Sequence, residues 1–330
     1  MISNVCSILP PVLAGIVKKI SDAIMRDVTE IRMRINQPLL MVLTSRDIMF
    51  NSSGETVNDI NKAYRCSRED LIQVMQLVSK NSLYAFEQEL RMGYFTIIGG
   101  HRIGVAGQAI MENGQVKALK NISSINIRIA REVKGCADPL MTYILGKRIA
   151  STLLISPPRC GKTTILRDII RQLSSGSNYK SFNGVQIGLV DERSEIAACQ
   201  HGIPTMDLGH RVDVLDGCPK ASGMLMLIRS MAPQAIITDE LGRHEDVQAV
   251  REALNAGISV ITTVHGNDEK EILHRPYVSE LIKNRFFDRY IILDNQPKIG
   301  TIKKVVAVKE DKILYSYNEK EQDHVVETSR

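Results

Sequence analysis

Nine consecutive residues, Ser156-Pro157-Pro158-Arg159-Cys160-Gly161-Lys162-Thr163-Thr164, carry the sharpest chemistry in the chain. They follow an apolar run, Thr152 to Ile155, and precede Ile165, Leu166, Ile169 and Ile170 at helical spacing. Strand, tight loop, Gly-Lys-Thr and helix together make the setting of a phosphate-binding P-loop. Successive backbone N–H groups at a helix N-terminus point at an anion, and the helix dipole favours its charge. In such a loop Lys162 neutralises β/γ-phosphate charge and the Thr163 hydroxyl ligates Mg²⁺. The expected ligands are therefore ATP and Mg²⁺, held by the whole stretch from Ser156 to Thr164. Two positions depart from GxxxxGK[ST]. Ser156 stands where the first Gly is expected. Arg159 stands where Gly often supplies a positive φ, at a strain of ~1–3 kcal/mol.

A P-loop needs carboxylates on neighbouring strands. Ile236-Ile237-Thr238-Asp239-Glu240 is an apolar run ending in two of them, as in a Walker B element. There Asp239 would hold Mg²⁺ through water, and Glu240 would polarise the attacking water as the catalytic base. Val190-Asp191-Glu192-Arg193-Ser194-Glu195 ends another strand and sets three carboxylates close together, adding Glu192 to the metal set. Thr262-Thr263-Val264-His265 places a histidine at the same sheet edge, where open α/β sheets bind ligands. His265 thus joins Lys162 and Glu240 as a candidate catalytic residue.

These residues need elements to position them. Apolar runs at Thr152–Ile155, Gln186–Val190, Ala235–Thr238 and Ser259–Val264 alternate with helical patterns. That alternation predicts a parallel sheet covered on both faces. Before it, residues 9–28 show helical spacing after Pro10-Pro11, and Glu30–Ile35 alternates like a half-buried strand. Ser67-Arg68-Glu69-Asp70 opens a helix as a capping box. Residues 93–129 read as β-rich, punctuated by Gly99-Gly100 and Gly104, with Asn113-Gly114 as a hairpin turn. The expected organisation is an N-terminal α+β domain over 1–135 and a P-loop domain over 136–300. A strand pair over 301–317 and a polar tail over 318–330 complete it. The predicted class is α/β: a P-loop NTPase with a RecA/AAA+-like parallel sheet covered by helices.

Composition narrows the partners. The chain has 330 residues, with 42 Lys and Arg against 37 Asp and Glu, a net charge of +5. Aromatics are 5% with no Trp, which argues against a base-stacking platform for nucleic acid. No apolar run approaches the ~20 residues that span a bilayer. No basic n-region precedes an apolar stretch at the N-terminus. Six cysteines without CxxC spacing read as reduced thiols. The expected location is the cytoplasm, with any membrane role peripheral.

The order of P-loop, Val-Asp-Glu-Arg-Ser-Glu, Thr238-Asp239-Glu240 and Thr-Thr-Val-His resembles the secretion ATPases of type II and type IV systems. Their Walker A, Asp box, Walker B and His box occur in this order. More closely, the chain resembles the stage III sporulation protein AA family from about residue 28 to 308. The shared segments are Glu30-Ile31-Arg32-Met33-Arg34, Gly100–Gly107, Pro157–Asp168, Val190–Arg193 and Asp239–Arg243. That resemblance implies an ATPase energising assembly of a channel between mother cell and forespore. It implies a ring hexamer, cytoplasmic in the mother cell and docked on an integral membrane platform, a stage III sporulation protein AB-like partner. It also implies arginines that reach nucleotide from the N-terminal domain or a ring neighbour. Candidates are Arg128, Arg131, Arg193, Arg211, Arg229 and Arg243, with Arg229 and Arg243 preferred because they flank the Walker B strand. No stable nucleic-acid partner is expected. A nucleotide-gated scaffold with little hydrolysis and a nucleic-acid-dependent ATPase are the alternative readings.

Overall fold

A computed structural model describes residues 5–317 except 45, 80–92, 98, 131 and 177–180. The tail expected over 318–330 and the candidate Arg131 lie outside the described residues. The chain divides into two compact units, residues 1–131 and 132–330.

The first unit holds helices α1 (Pro11–Lys19) and α2 (Asp22–Met25), strands β1 (Val28–Arg34), β2 (Leu40–Leu43), β3 (Asp47–Phe50) and β4 (Thr56–Val57), and helix α3 (Arg68–Val78). Strands β5 (Tyr94–Ile97), β6 (His101–Glu112) and β7 (Gln115–Arg128) follow. The strands form one antiparallel sheet in the order β4-β3-β2-β1-β7-β6-β5. Alternation fixes its buried face. Met41, Ile31, Ile127 and Ile103 sit opposite one another across four strands, and each is fully buried. The capping box at Ser67 is formed, with Asp70 also accepting from the Tyr64 hydroxyl at 2.8 Å. Asn113 and Gly114 both take positive φ, 53° and 75°, as a two-residue hairpin of type I′ requires. Two expectations fail here. Gly104 lies inside β6 and does not interrupt it. The single helix expected over 9–28 is two, because Ile20 is extended and the Ser21 hydroxyl caps a new start at Ile24 N, 3.4 Å away.

The second unit runs α4 (Asp138–Ile144), β8 (Thr152–Ser156), α5 (Lys162–Ser175), β9 (Ile187–Asp191), β10 (Val212–Asp216), α6 (Lys220–Ser230), β11 (Ala235–Thr238), α7 (His244–Asn255) and β12 (Ser259–His265). It ends with α8 (Glu269–Ile272), α9 (Val278–Lys283), β13 (Arg289–Asp294), β14 (Thr301–Ala307) and β15 (Lys312–Ser316). The sheet order is β10-β9-β11-β12-β8-β13-β14-β15, parallel from β10 to β13 and antiparallel at the last two pairings. The strand pair over 301–317 is therefore hydrogen-bonded into this sheet through β13.

Burial on both faces explains why the parallel strands read as unbroken apolar runs. Leu154, Leu189, Ile237, Ile261 and Ile291 pack under Ile165, Leu166, Ile169 and Ile170 of α5. Leu153, Val190, Ile236 and Val260 pack on the opposite face with Met224, Leu227, Val247 and Val250 of α6 and α7. Two strands escape the sequence reading. β10 is a half-buried edge strand whose apolar residues alternate with Asp213 and Asp216, and β13 follows a turn with no Gly or Pro to mark it.

Asp168 fastens α5 to the start of this unit. Its carboxylate accepts from Ala137 N at 2.9 Å, Gln172 at 3.0 Å and Arg171 at 2.6 Å. Burial alone would raise its pKa, but these donors hold it below the usual value of 3.8. Asp168→Ala is expected to cost about 2–4 kcal/mol, read as a lower urea midpoint at neutral pH. Because the folded pKa is depressed, that contribution is complete above pH 3.8 and fades as pH falls through the folded value. An undiminished gap between wild type and variant in strong acid would show that the carboxylate charge is not the cause.

Candidate active site

β8 delivers a buried Ser156 to the sheet edge, where its hydroxyl donates to Pro157 O at 3.0 Å. The chain then climbs through exposed Pro158 and Arg159 and re-enters at Cys160, 1% exposed. Burial pushes the Cys160 thiol up from its ordinary pKa, so it stays a thiol directed at Pro158 O. Arg159 does take the left-handed conformation, φ 63°, and Gly161 follows at φ 76°. A Cβ at Gly161 would come within 3.0 Å of the exposed Ile299 side chain, so the positive φ is the main reason for glycine here. Gly161 is the N-cap of α5, whose first turn has no side-chain cap and no acidic residue. Its orphan N–H groups suit an anion, which is the fit a phosphate requires.

Lys162 Nζ donates to Ser156 O at 3.2 Å and Pro157 O at 3.0 Å, and lies 2.8 Å from His265 Nδ1. Burial lowers its pKa. His265 reaches this point because β12 pairs with β8 in a register that sets it opposite Ser156. An ammonium only donates, so Nδ1 accepts and Nε2 carries the ring proton. Nε2 faces Glu240 Oε1 at 3.4 Å, and Glu240 Oε2 faces Arg193 at 4.0 Å. Glu240 is fixed by β12 as well: its N–H donates to Thr263 Oγ1 at 2.9 Å, and Leu241 N to Thr263 O at 3.0 Å. Lys162, His265 and Glu240 thus form one continuous line.

Two of the three metal candidates, Glu192 and Asp239, meet at a residue the sequence reading missed. Lys220 Nζ contacts Glu192 Oε2 and lies 3.4 Å from Asp239 Oδ1. Asp239 Oδ1 is buried, with the Lys220 ammonium as its charged neighbour. Two carboxylates that converge on one cation are the hard oxygen donor set that Mg²⁺ or its water requires, so the residues fit that ion. Burial raises the Asp239 pKa, and Lys220 partly offsets it. Thr163, the third expected ligand, sits half-buried in the first turn of α5. A signal for Lys220 existed: a lysine opening a helix opposes the helix dipole and calls for a local reason.

Asp191 has a separate role from Glu192. It is fully buried and accepts from Glu195 N at 3.0 Å, Ile196 N at 2.9 Å and Ala197 N at 2.8 Å. Burial pushes its pKa up to about 6 against the pull of those three donors. Arg167 of α5 donates to Glu195 O and Ile196 O, both at 2.7 Å, tying the acidic loop to the helix behind the P-loop. Strand alternation separates the pair: Leu189 and Asp191 face α5, whereas Val190 and Glu192 face α6. Among the arginine candidates, Arg193 approaches Glu240, Arg211 donates to Ser174 O at 2.8 Å, and Arg128 lies 4.0 Å from Glu30. Arg229 and Arg243 are exposed.

The model of the family described as "Sporulation stage III, protein AA" matches residues 4–313. The chain is 41% identical over 303 residues to stage III sporulation protein AA of Bacillus subtilis (strain 168), covering 92% of this chain and 94% of that one. Among solved structures it is similar to the Legionella pneumophila ATPase DotB, with a TM-score of 0.53 at 14% identity over 85% of this chain and 77% of that chain. It is also similar to the pilus retraction motor PilT with bound ADP, with a TM-score of 0.52 at 14% identity over 82% and 75%. These likenesses establish the P-loop secretion-ATPase fold.

Asp191→Ala leaves three inward N–H groups without their acceptor and is expected to destabilise the chain by about 2–4 kcal/mol. Asp191→Asn should cost less, because an amide oxygen still accepts from Ile196 and Ala197. Guanidinium unfolding of the two variants checks this; equal midpoints would show that the loop does not depend on those bonds.

Proposed function

The chain belongs to the sporulation stage III protein AA family, and from that premise we propose that it is an ATP-hydrolysing motor of sporulation. The observation that carries this reading is the line Lys162–His265–Glu240 beside Asp239, at the mouth of an uncapped P-loop helix. The first-turn amides of α5 and Lys162 bind the β- and γ-phosphates. Lys162 exchanges two loop carbonyls and His265 for phosphate oxygens. Glu240, oriented by Thr263 and by the Nε2 proton of His265, holds the attacking water and takes up its proton. Asp239, Glu192 and Thr163 would hold Mg²⁺, which supplies charge neutralisation between phosphate oxygens when bound.

The family resemblance extends the proposal beyond one subunit. The chain works as a homo-oligomer, a hexameric ring, in the mother-cell cytoplasm. It docks on an integral membrane platform of the AB kind to energise a channel to the forespore. In this reading Arg229 and Arg243, both exposed, reach a neighbour's nucleotide. No helix among the described residues is long and apolar enough to cross a membrane, so the contact with the platform is peripheral in this reading.

Two variants separate binding from chemistry. Lys162→Ala is expected to abolish ATP binding, measured with a fluorescent analogue. Glu240→Gln is expected to retain ATP while turnover falls ~10²–10⁴-fold, because the amide cannot take the proton. Full affinity in Lys162→Ala would remove the P-loop assignment, and normal turnover in Glu240→Gln would move the base elsewhere.

Arg159 gives a second check, because it holds φ 63° with a Cβ in the way. Arg159→Gly is expected to tighten ATP binding several-fold, about 1 kcal/mol. Weaker binding at equal salt would instead assign the guanidinium a direct contact with phosphate or a neighbouring subunit.

A further inference from the structure

Lys220 is 7% exposed, yet it belongs to neither the P-loop nor any acidic motif. It is the first residue of α6, after Pro219 as N-cap. Its place is built by packing. Met224 and Leu227 of α6 are buried against Val190 and Ile236. A Cβ on Gly223 would meet Val190 Cγ1 at 2.6 Å, so α6 can lie this close to β9 only with glycine there. The result carries the first turn of α6 over the ends of β9 and β11, where the ammonium lies between Glu192 and Asp239. The macrodipole disfavours a cation at that helix end, and burial disfavours one anywhere. The two carboxylates offset both, because the ammonium contacts Glu192 Oε2 and lies 3.4 Å from Asp239 Oδ1.

We propose that Lys220 is a tethered counter-cation that keeps divalent metal away from Asp239 and Glu192 until nucleotide phosphate arrives with it. This rests on reading the site as one for ATP and Mg²⁺. A pair of half-buried carboxylates carries a charge of −2 and attracts a divalent ion unaided. With Lys220 between them the net charge is −1, and the position of closest approach is already filled. Phosphate oxygens restore the missing negative charge, so metal and nucleotide together outcompete the ammonium where metal alone does not. The four-carbon stem of lysine lets the ammonium withdraw without moving the backbone of α6. Lys220 is thereby a positioning residue: it also keeps the two carboxylates from repelling each other in the nucleotide-free protein.

The test uses Mn²⁺ alone as probe, titrated into the full-length chain without nucleotide and followed by electron paramagnetic resonance of the free ion. Wild type and Lys220→Arg, which both keep the charge, are expected to bind it weakly. Lys220→Met is expected to bind about ten-fold tighter or more, the effect of removing one unit charge a few ångströms away. The gain should vanish in the double variant Glu192→Gln/Lys220→Met. Because Lys220→Met leaves two half-buried carboxylates without their cation, its melting temperature should be low and should rise with Mn²⁺, whereas that of wild type should not. Equal Mn²⁺ affinity and equal metal response in wild type and Lys220→Met would overturn the proposal. That outcome would leave the ATPase reading standing, since ATP binding by wild type against Lys162→Ala decides it separately.

Discussion

One strand pairing organises the candidate site at the sheet edge of the second unit. β12 lies between β8 and β11, in a register that sets His265 beside Ser156. The P-loop grows from β8 and the Asp239-Glu240 pair from β11, so neither touches the other directly. β12 supplies everything between them: the imidazole that links lysine to glutamate, and the Thr263 hydroxyl and carbonyl that hold Glu240 and Leu241 in place. A one-residue slip of β12 would exchange its two faces and remove both contacts at once. Packing opposes such a slip, because Val260 and Ile261 are fully buried on opposite faces of the sheet.

The parts of this site that depend on neighbouring residues were legible in the sequence. Gly161-Lys162-Thr163 sits between an apolar strand and a helical pattern, and the strained position of Arg159 follows from the loop's shape alone. The carboxylates and histidine were legible because each ends an apolar run, and in a parallel sheet such runs end on one edge. What escaped depends on separate elements meeting. Lys220 is 28 residues from its partner Glu192, and only the approach of α6 to β9 joins them. Arg167 looks like an ordinary helix-surface residue until the acidic loop folds across it. Asp191 and Glu192 are equivalent as letters; strand parity decides that one becomes a structural acceptor and the other a site residue.

In the first unit, pattern and outcome agree where alternation is strict and part where a single polar residue intervenes. The row Met41, Ile31, Ile127 and Ile103 is visible as period-two hydrophobicity in each strand. Ser21, by contrast, breaks a continuous helical pattern because its hydroxyl offers a fresh cap. His101 is a related case. It is 1% exposed and accepts from Ala130 N at 3.1 Å. Burial pushes its pKa down to about 4, so it serves as a neutral strut at the start of β6.

The free flank of the large sheet has a consequence of its own. β10 ends the sheet, half-buried along its whole length, with Asp213 and Asp216 among its five residues. An edge strand offers its outer backbone groups to any other strand, which is the usual route to runaway polymers. Two like copies meeting there would bring carboxylates face to face. Charge on this border therefore works against sheet-to-sheet fusion at that flank, as an acidic gatekeeper would.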